Sequence, residues 1–397
     1  MTQPLFVTGM FRSGTTLLAK MLDAHGRICC ANDPYLPIFK AFRNVVERDL
    51  VGDAPDPNRP LDDYYFDERS SRLMQAVQSA SFAREIDSDT LASLREAVRG
   101  YAAEFSPEVA ARADALEGET FTDVLRSAFS IVRESYGSAE SKVAAFKTAW
   151  TDEFAGHVLD ALPDARVIHI LRDPRAVCAS KNARPDKYPW LFLIRQWRKL
   201  AVFTWLAGQK PSWRDRLLMI RYEDLIAQPE DWAEKIAAFL GIDPDPAMAD
   251  ARTFRDTGGG QWGGNSSHFE NVYAFNRASA DKWRRALEPR EIAYIEHLCL
   301  PEMGIFGYEP TVEVTPEIPE ALAFDPPRVP EDSLAKWIRP YEITSPEALI
   351  REMALESLRY RAIWSASALS DELATLLFLD PAFHRAIKRP AAAQAEA

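Results

Sequence analysis

Cysteine, histidine and positive charge are all scarce in this 397-residue chain. The four cysteines are Cys29, Cys30, Cys178 and Cys299. None forms a Cys-x-x-Cys pair, so neither a metal knuckle nor a disulfide framework is expected. The adjacent Cys29 and Cys30 read as buried or partly buried thiols. His25, His169 and His268 read as structural, His169 because it alternates inside an apolar strand. Lysine and arginine total 47 against 59 acidic residues, a net charge of −12. That balance excludes a broad nucleic-acid surface, and any anionic ligand must be held by a local basic pocket. No apolar run approaches the roughly 18 residues of a membrane span. A strand begins close to Met1, with no apolar leader before it. The expectation is a cytoplasmic protein with no transmembrane segment. The 47% hydrophobic content is enough for a sizeable core.

Glycine is also sparse, and two glycines bracket the most informative segment. Residues 5–7 are a short apolar run. Gly9-Met10-Phe11-Arg12-Ser13-Gly14 follows, then Leu17, Leu18, Met21 and Leu22 at helical spacing. Strand, glycine turn and helix start form a phosphate cradle, because the turn's N–H groups and the helix N-terminus point at one anion. The glycine spacing is that of a P-loop, but Thr15 stands where a nucleotide-triphosphate lysine belongs. The cation is Arg12, inside the loop. This argues against an ATPase or GTPase. It favours an anion met by Arg12 and by the hydroxyls of Ser13, Thr15 and Thr16. The alternative is a tight strand-to-helix turn with no ligand.

Residues 4–30 read as strand, turn and helix, and 36–142 as mainly helical, with helices over 89–105 and 122–136. A loop is expected at 52–60, followed by the aromatic-acidic run 61–66. Strands are expected at 143–147, 165–171 and 217–221, and helices at 153–162 and 232–240, the latter closed by Gly241. Strands alternating with helices predict an α/β fold: a P-loop-type, mostly parallel sheet flanked by helices. Residues 36–142 are then a helical insertion, expected to shape a substrate pocket with Tyr64, Tyr65 and Phe66. Residues 1–310 form the main domain, 311–332 a proline-rich linker, and 333–397 a helical extension with a disordered tail. The extension is expected to pack on the core or on a second subunit, which makes a homodimer one expectation. The stripe Trp190, Phe192, Trp197, Phe203 and Trp205 reads as core or pocket wall.

A second constellation follows the strongest strand: Arg172-Asp173-Pro174-Arg175, then Ser180. A basic residue at a strand's C-terminal end faces the crevice where open α/β sheets bind ligands. Ser180 is expected about two turns into the next helix. Arg172 and Ser180 then converge on one phosphate, and Arg184 extends the same face. The alternative is a local Arg172–Asp173 ion pair at a turn.

Together, the Arg-Ser-Gly-Thr-Thr loop and the Arg-Asp-Pro-Arg…Ser segment resemble the sulfotransferases that use 3′-phosphoadenosine 5′-phosphosulfate. Tyr222-Glu223-Asp224-Leu225, Phe239-Leu240-Gly241, Gly264-Asn265-Ser266-Ser267, Trp283-Arg284, Cys299 and Gly307-Tyr308 extend the likeness. It covers residues 5–35 and 143–308, and its loop form is closest to the tyrosylprotein branch and bacterial relatives. The resemblance implies a 5′ loop at Arg12, Ser13, Gly14, Thr15 and Thr16. It makes Arg172 and Ser180 the 3′-phosphate ligands, and Arg184, Tyr222, Ser266 and Ser267 further cofactor contacts. It puts the general base at Asp33, where the family has the longer glutamate, and Lys147 at the bridging oxygen or sulfuryl group. No metal is implied, because the leaving phosphate lies in a basic cradle.

Such a transfer needs preorganised cations and N–H groups around the leaving oxygen, and a base for the acceptor hydroxyl. The acceptor stays open: a carbohydrate or lipid hydroxyl, a small phenol or a peptide tyrosine. The acidic surface disfavours a polyanionic glycan or a highly acidic peptide. Plainer readings stand beside these roles. Asp33 can be a turn residue before Pro34, Lys147 a solvated strand end, and Tyr222-Glu223-Asp224 a helix start. Alternative bases are His25, Asp62 and Asp63. Ser13 has no His and Asp at nucleophile-motif spacing, so a hydrolase triad is rejected. Competing functions are a kinase-like phosphotransferase and a nucleotide-binding scaffold without catalysis.

Overall fold

A computed structural model describes residues 2–52, 55–56, 59–180, 188–257, 259–264, 274–320 and 346–388. Its sheet has strands β1 (Gln3–Gly9), β2 (Ile28–Asn32), β3 (Val143–Lys147), β4 (Arg166–Leu171) and β5 (Leu217–Arg221). Their order is β2-β3-β1-β4-β5, and every pairing is parallel. All five strands are short, and the central ones are buried along nearly their whole length, as sheets covered on both faces require. The chain leaves β1 toward one edge and later crosses to the other, so a topological switch point lies at the C-terminal end of β1.

The chain divides into two compact units. The first holds residues 1–57, 76–172 and 207–279, and with them the whole sheet. Helix Thr15–Asp23 follows β1. Helices Leu36–Val51, Ser88–Ala102 and Phe121–Tyr136 fill the stretch expected to be helical. Asp87 caps the second of these through the N–H of Thr90, and Thr120 with Asp123 forms a capping box on the third. Phe39, Phe42, Phe82, Phe121 and Phe154 make one aromatic cluster among them, with ring centroids 4.5–6.4 Å apart.

The second unit holds residues 58–75, 173–206 and 280–397. Within it, Glu356 of helix Pro346–Trp364 binds Arg195 at 2.9 Å and Arg198 at 2.6 Å, both on helix Trp190–Gln209. Arg359 pairs with Glu302 of helix Pro289–Ile305. The C-terminal helices therefore pack into their own unit's core. Tyr64 and Tyr65 are buried here, with Arg198 over the Tyr65 ring at 4.5 Å. Neither is an accessible pocket wall, contrary to expectation. Trp190, Phe192, Trp197 and Phe203 are core.

Three local expectations need correction. Residues 28–32 are a second strand, paired to β3, and do not end the first helix. Helix Pro174–Cys178 is a single short element, so Ser180 lies beyond its end. The Ser180 N–H bonds back to Val177, tightening the last turn. The segment at 153 begins with a 3-10 turn, Asp152–Phe154, before helix Ala155–Ala161. The strands at 143–147, 166–171 and 217–221 lie where periodicity put them. Among the described residues, no helix is long and apolar enough to cross a membrane, and no His, Cys, Asp and Glu group is placed to hold a metal ion. The four cysteines are unpaired.

Candidate active site

The loop after β1 is shaped by its two glycines. Gly9 has φ +154°, and a Cβ there would sit 2.2 Å from the Ile170 carbonyl oxygen on neighbouring β4. Gly14 has φ +91°, and its Cβ would meet the Tyr222 ring at 2.3 Å. Only glycine satisfies both the backbone conformation and the close approach. Between them Arg12 is held at φ +68°, the kind of conformation that persists only where surrounding structure enforces it. As the helix N-cap, Gly14 offers no side chain, and the first helical turn carries no acid. The N–H groups of that turn are thus left to an incoming anion. Beside them the Ser13 Oγ is fully buried and has no hydrogen-bond partner. Such an orphan in a native interior marks a missing acceptor or donor. Thr15 and Thr16 open helix Thr15–Asp23, Thr15 buried and Thr16 half-buried.

Arg172 follows β4 and reaches back over this loop. Its Nη1 donates to the Arg12 carbonyl at 3.0 Å, and its Nη2 donates to the Ser279 carbonyl at 2.8 Å. The guanidinium stacks over the Tyr222 ring at 4.3 Å, and the Tyr222 hydroxyl bonds Ser279 Oγ at 2.7 Å. Arg172, Tyr222 and Ser279 thus form a clasp on the loop. Ser279 carries no sequence signal, because its partner lies 107 residues away.

Asp33 and Lys147 meet at the ends of the adjacent strands β2 and β3. Asn32 is paired in register with Lys147, so the next residue, Asp33, arrives beside it. The Lys147 ammonium forms an ion pair with Asp33, and the Ala149 N–H donates to the same carboxylate at 3.3 Å. Lys147 is 2% exposed and Asp33 19%. Asp33 also has positive φ, +52°. Segment 148–150 joins the two clusters: the Thr148 N–H bonds Val7, and the Trp150 N–H bonds Gly9 at 3.1 Å.

A buried polar knot underlies this corner. Thr8 Oγ1 lies 3.1 Å from Thr151 Oγ1 and donates to Asp152 at 3.2 Å, and Asp152 pairs with His169. His169 is therefore a satisfied core side chain, as its place in the strand implied. Among the alternative bases, His25 lies 2.9 Å from the Asp243 carbonyl through Nε2. Asp62 and Asp63 are buried in the second unit. Ser180 also belongs to the second unit. Arg184, Ser266 and Ser267 lie outside the described residues.

Residues 4–246 match the model of the sulfotransferase family. The carbohydrate sulfotransferase 3 of Tetronarce californica is 28% identical over 165 residues, 36% of each chain. The protein-tyrosine sulfotransferase of Drosophila melanogaster is 21% identical over 314 residues, 77% of this chain and 52% of its own length. The chain thus spans about a third to a half of the length of these curated relatives. A solved sulfotransferase domain from the Synechococcus PCC 7002 olefin synthase covers 78% of this chain and 96% of its own, at 18% identity and TM-score 0.44. With more than half of its residues matched by the family model, the chain belongs to the sulfotransferase family.

Proposed function

We propose that this protein transfers a sulfuryl group from 3′-phosphoadenosine 5′-phosphosulfate to an acceptor hydroxyl. One observation carries the reading: a glycine-shaped loop at a helix N-terminus contains a buried Ser13 Oγ with no partner. That is a preformed site for phosphate oxygens. Family membership supports the donor class.

The donor supplies a sulfuryl group bonded to a phosphate leaving group. Ser13, the first-turn N–H groups, Thr15 and Thr16 bind the 5′-phosphate, and Arg12 adds the positive charge. Arg172 keeps the loop closed through the Arg12 carbonyl and is itself one of the proposed nucleotide contacts. Asp33, held by Lys147 and the Ala149 N–H, accepts the proton of the acceptor hydroxyl. Lys147 also sets positive charge beside the transferring group, where negative charge grows in the transition state.

Thermal shift tests the donor assignment. 3′-Phosphoadenosine 5′-phosphate should raise the melting temperature by several degrees at saturating concentration, and ATP with Mg²⁺ far less. Equal stabilisation by ATP would argue for the kinase-like alternative. The working compartment is proposed to be the cytoplasm.

A further inference from the structure

Most aromatic side chains among the described residues are buried or half-buried. Among the described residues the two most exposed are Tyr101, 38% exposed, and Phe105, 43% exposed. They are not scattered. Tyr101 lies in the last turn of helix Ser88–Ala102, and Phe105 lies just beyond it.

That turn is stitched to the corner of the candidate active site. Ser106 Oγ donates to the Asn32 carbonyl at 2.8 Å and accepts the Asn32 N–H at 3.0 Å. Asn32 directly precedes Asp33. The Ser106 N–H in turn bonds the Ala102 carbonyl at 2.7 Å. Two reciprocal bonds therefore fix the 101–106 turn to the residue before the proposed base. Tyr101 is also close enough to feel Asp33. Its phenol is pushed above its ordinary value, first by loss of surrounding water, then by the charges of Asp33 and Glu104.

We infer that Tyr101 and Phe105 form an acceptor platform that grips the apolar face of an uncharged, hydroxyl-bearing ring and presents its hydroxyl to Asp33. This deepens the proposed function and rests on it. Two exposed rings four residues apart at the end of one helix offer apolar surface to a ligand. Aromatic faces accept the C–H groups of a sugar's apolar face or the edge of another aromatic ring. Beside the rings lie Glu104 and Asp33, the latter offset by its ion pair with Lys147, and the whole chain carries −12. The net negative charge of the chain disfavours an anionic acceptor, whereas a neutral sugar or a phenol carries no such penalty. The platform thus selects among acceptors, while the loop and Arg172 bind the donor.

Saturation-transfer NMR on the full chain tests the platform with phenol and with a methyl glucoside as probes, with and without 3′-phosphoadenosine 5′-phosphate. At least one probe should receive saturation from the wild-type protein, and the arm that responds identifies the ring class. Tyr101→Ala and Phe105→Ala should weaken that binding roughly 3- to 10-fold each, and Tyr101→Phe should retain it. Nucleotide affinity should stay unchanged in all three variants. Both positions are exposed, and melting curves establish that the variants are folded. The inference is overturned if neither probe binds, or if both alanine variants bind it as the wild type does. Ring binding without any nucleotide binding would instead sink the donor assignment and leave the platform standing.

Discussion

Asp33→Asn separates catalysis from architecture at the proposed active site. The carboxylate accepts from the Lys147 ammonium and from the Ala149 N–H, and Lys147 is almost wholly buried. The amide removes the charge but keeps the shape. Lys147 is then left with a neutral partner in a water-poor setting. Losing a charge-assisted contact costs about 1.5–3 kcal/mol, and stranding a buried charge costs more. Asp33 itself is partly exposed, which softens the loss, so about 2 kcal/mol is expected. Turnover should fall by roughly 10²–10⁴-fold, the usual range for losing a general base. Donor affinity should persist, because Asp33 is not among the proposed phosphate ligands. The double variant Asp33→Asn/Lys147→Met removes the stranded ammonium. It should recover stability and recover no turnover. Chemical denaturation, titration of 3′-phosphoadenosine 5′-phosphate and single-turnover kinetics on the same three proteins provide the readouts. Near-normal turnover in Asp33→Asn would refute the assignment. Loss of nucleotide binding would show that Asp33 maintains the loop.

The remaining predictions concern the loop clasp, a buried carboxylate and a half-buried lysine. Arg172→Ala deletes two bonds to backbone carbonyls and the stack on Tyr222, and should weaken nucleotide binding by about 2–4 kcal/mol and lower the melting temperature; unchanged calorimetric affinity would make Arg172 a structural turn residue. Burial alone would raise the Glu356 carboxyl, but Arg198 and Arg195 outweigh it and hold the group at about 2, below its ordinary 4.5. Its contribution is therefore present above the ordinary value and lost as pH falls toward 2, and Glu356→Gln should cost about 3–5 kcal/mol at neutral pH and flatten the acid limb of the stability curve. Lys40 is lowered to about 8, first by burial and then by Arg43, against the pull of Asp56. The folded state disfavours its proton, so stability should rise with pH between about 8 and 10.5. Lys40→Met should abolish that rise and stabilise the protein by about 1–3 kcal/mol at neutral pH, read by urea denaturation.

The parts legible in the sequence are those set by local periodicity and by motif. Apolar runs marked β1, β3, β4 and β5, and the glycine pair marked the loop, because a left-handed φ and a close backbone approach leave few residue choices. Family membership followed from the loop and the Arg172 segment, since both encode chemistry in adjacent residues. The clasp on Arg172 was not legible. Ser279 meets it only through chain folding, by a backbone carbonyl that carries no side-chain identity. The same holds for the Ala149 N–H on Asp33. β2 was missed because Cys29-Cys30-Ala31 is a short run lacking β-branched residues after Ile28. Tyr64 and Tyr65 looked like a pocket wall from composition. Their burial against Arg198 and Lys199 depends on cations well over a hundred residues later in the chain. Conversely, nothing in the pattern around Tyr101 and Phe105 distinguished them from ordinary amphipathic helix residues.

The most direct test of the central claim is transfer of a radiolabelled sulfuryl group from 3′-phosphoadenosine 5′-phosphosulfate to a panel of phenols and neutral sugars, with product identified by mass. Label should move to an acceptor hydroxyl with the mass gain of one sulfuryl group, and Asp33→Asn should reduce that transfer by the factor given above. A wild-type protein that binds 3′-phosphoadenosine 5′-phosphate yet transfers no label to any acceptor, or that moves a phosphoryl group from ATP instead, would contradict the account.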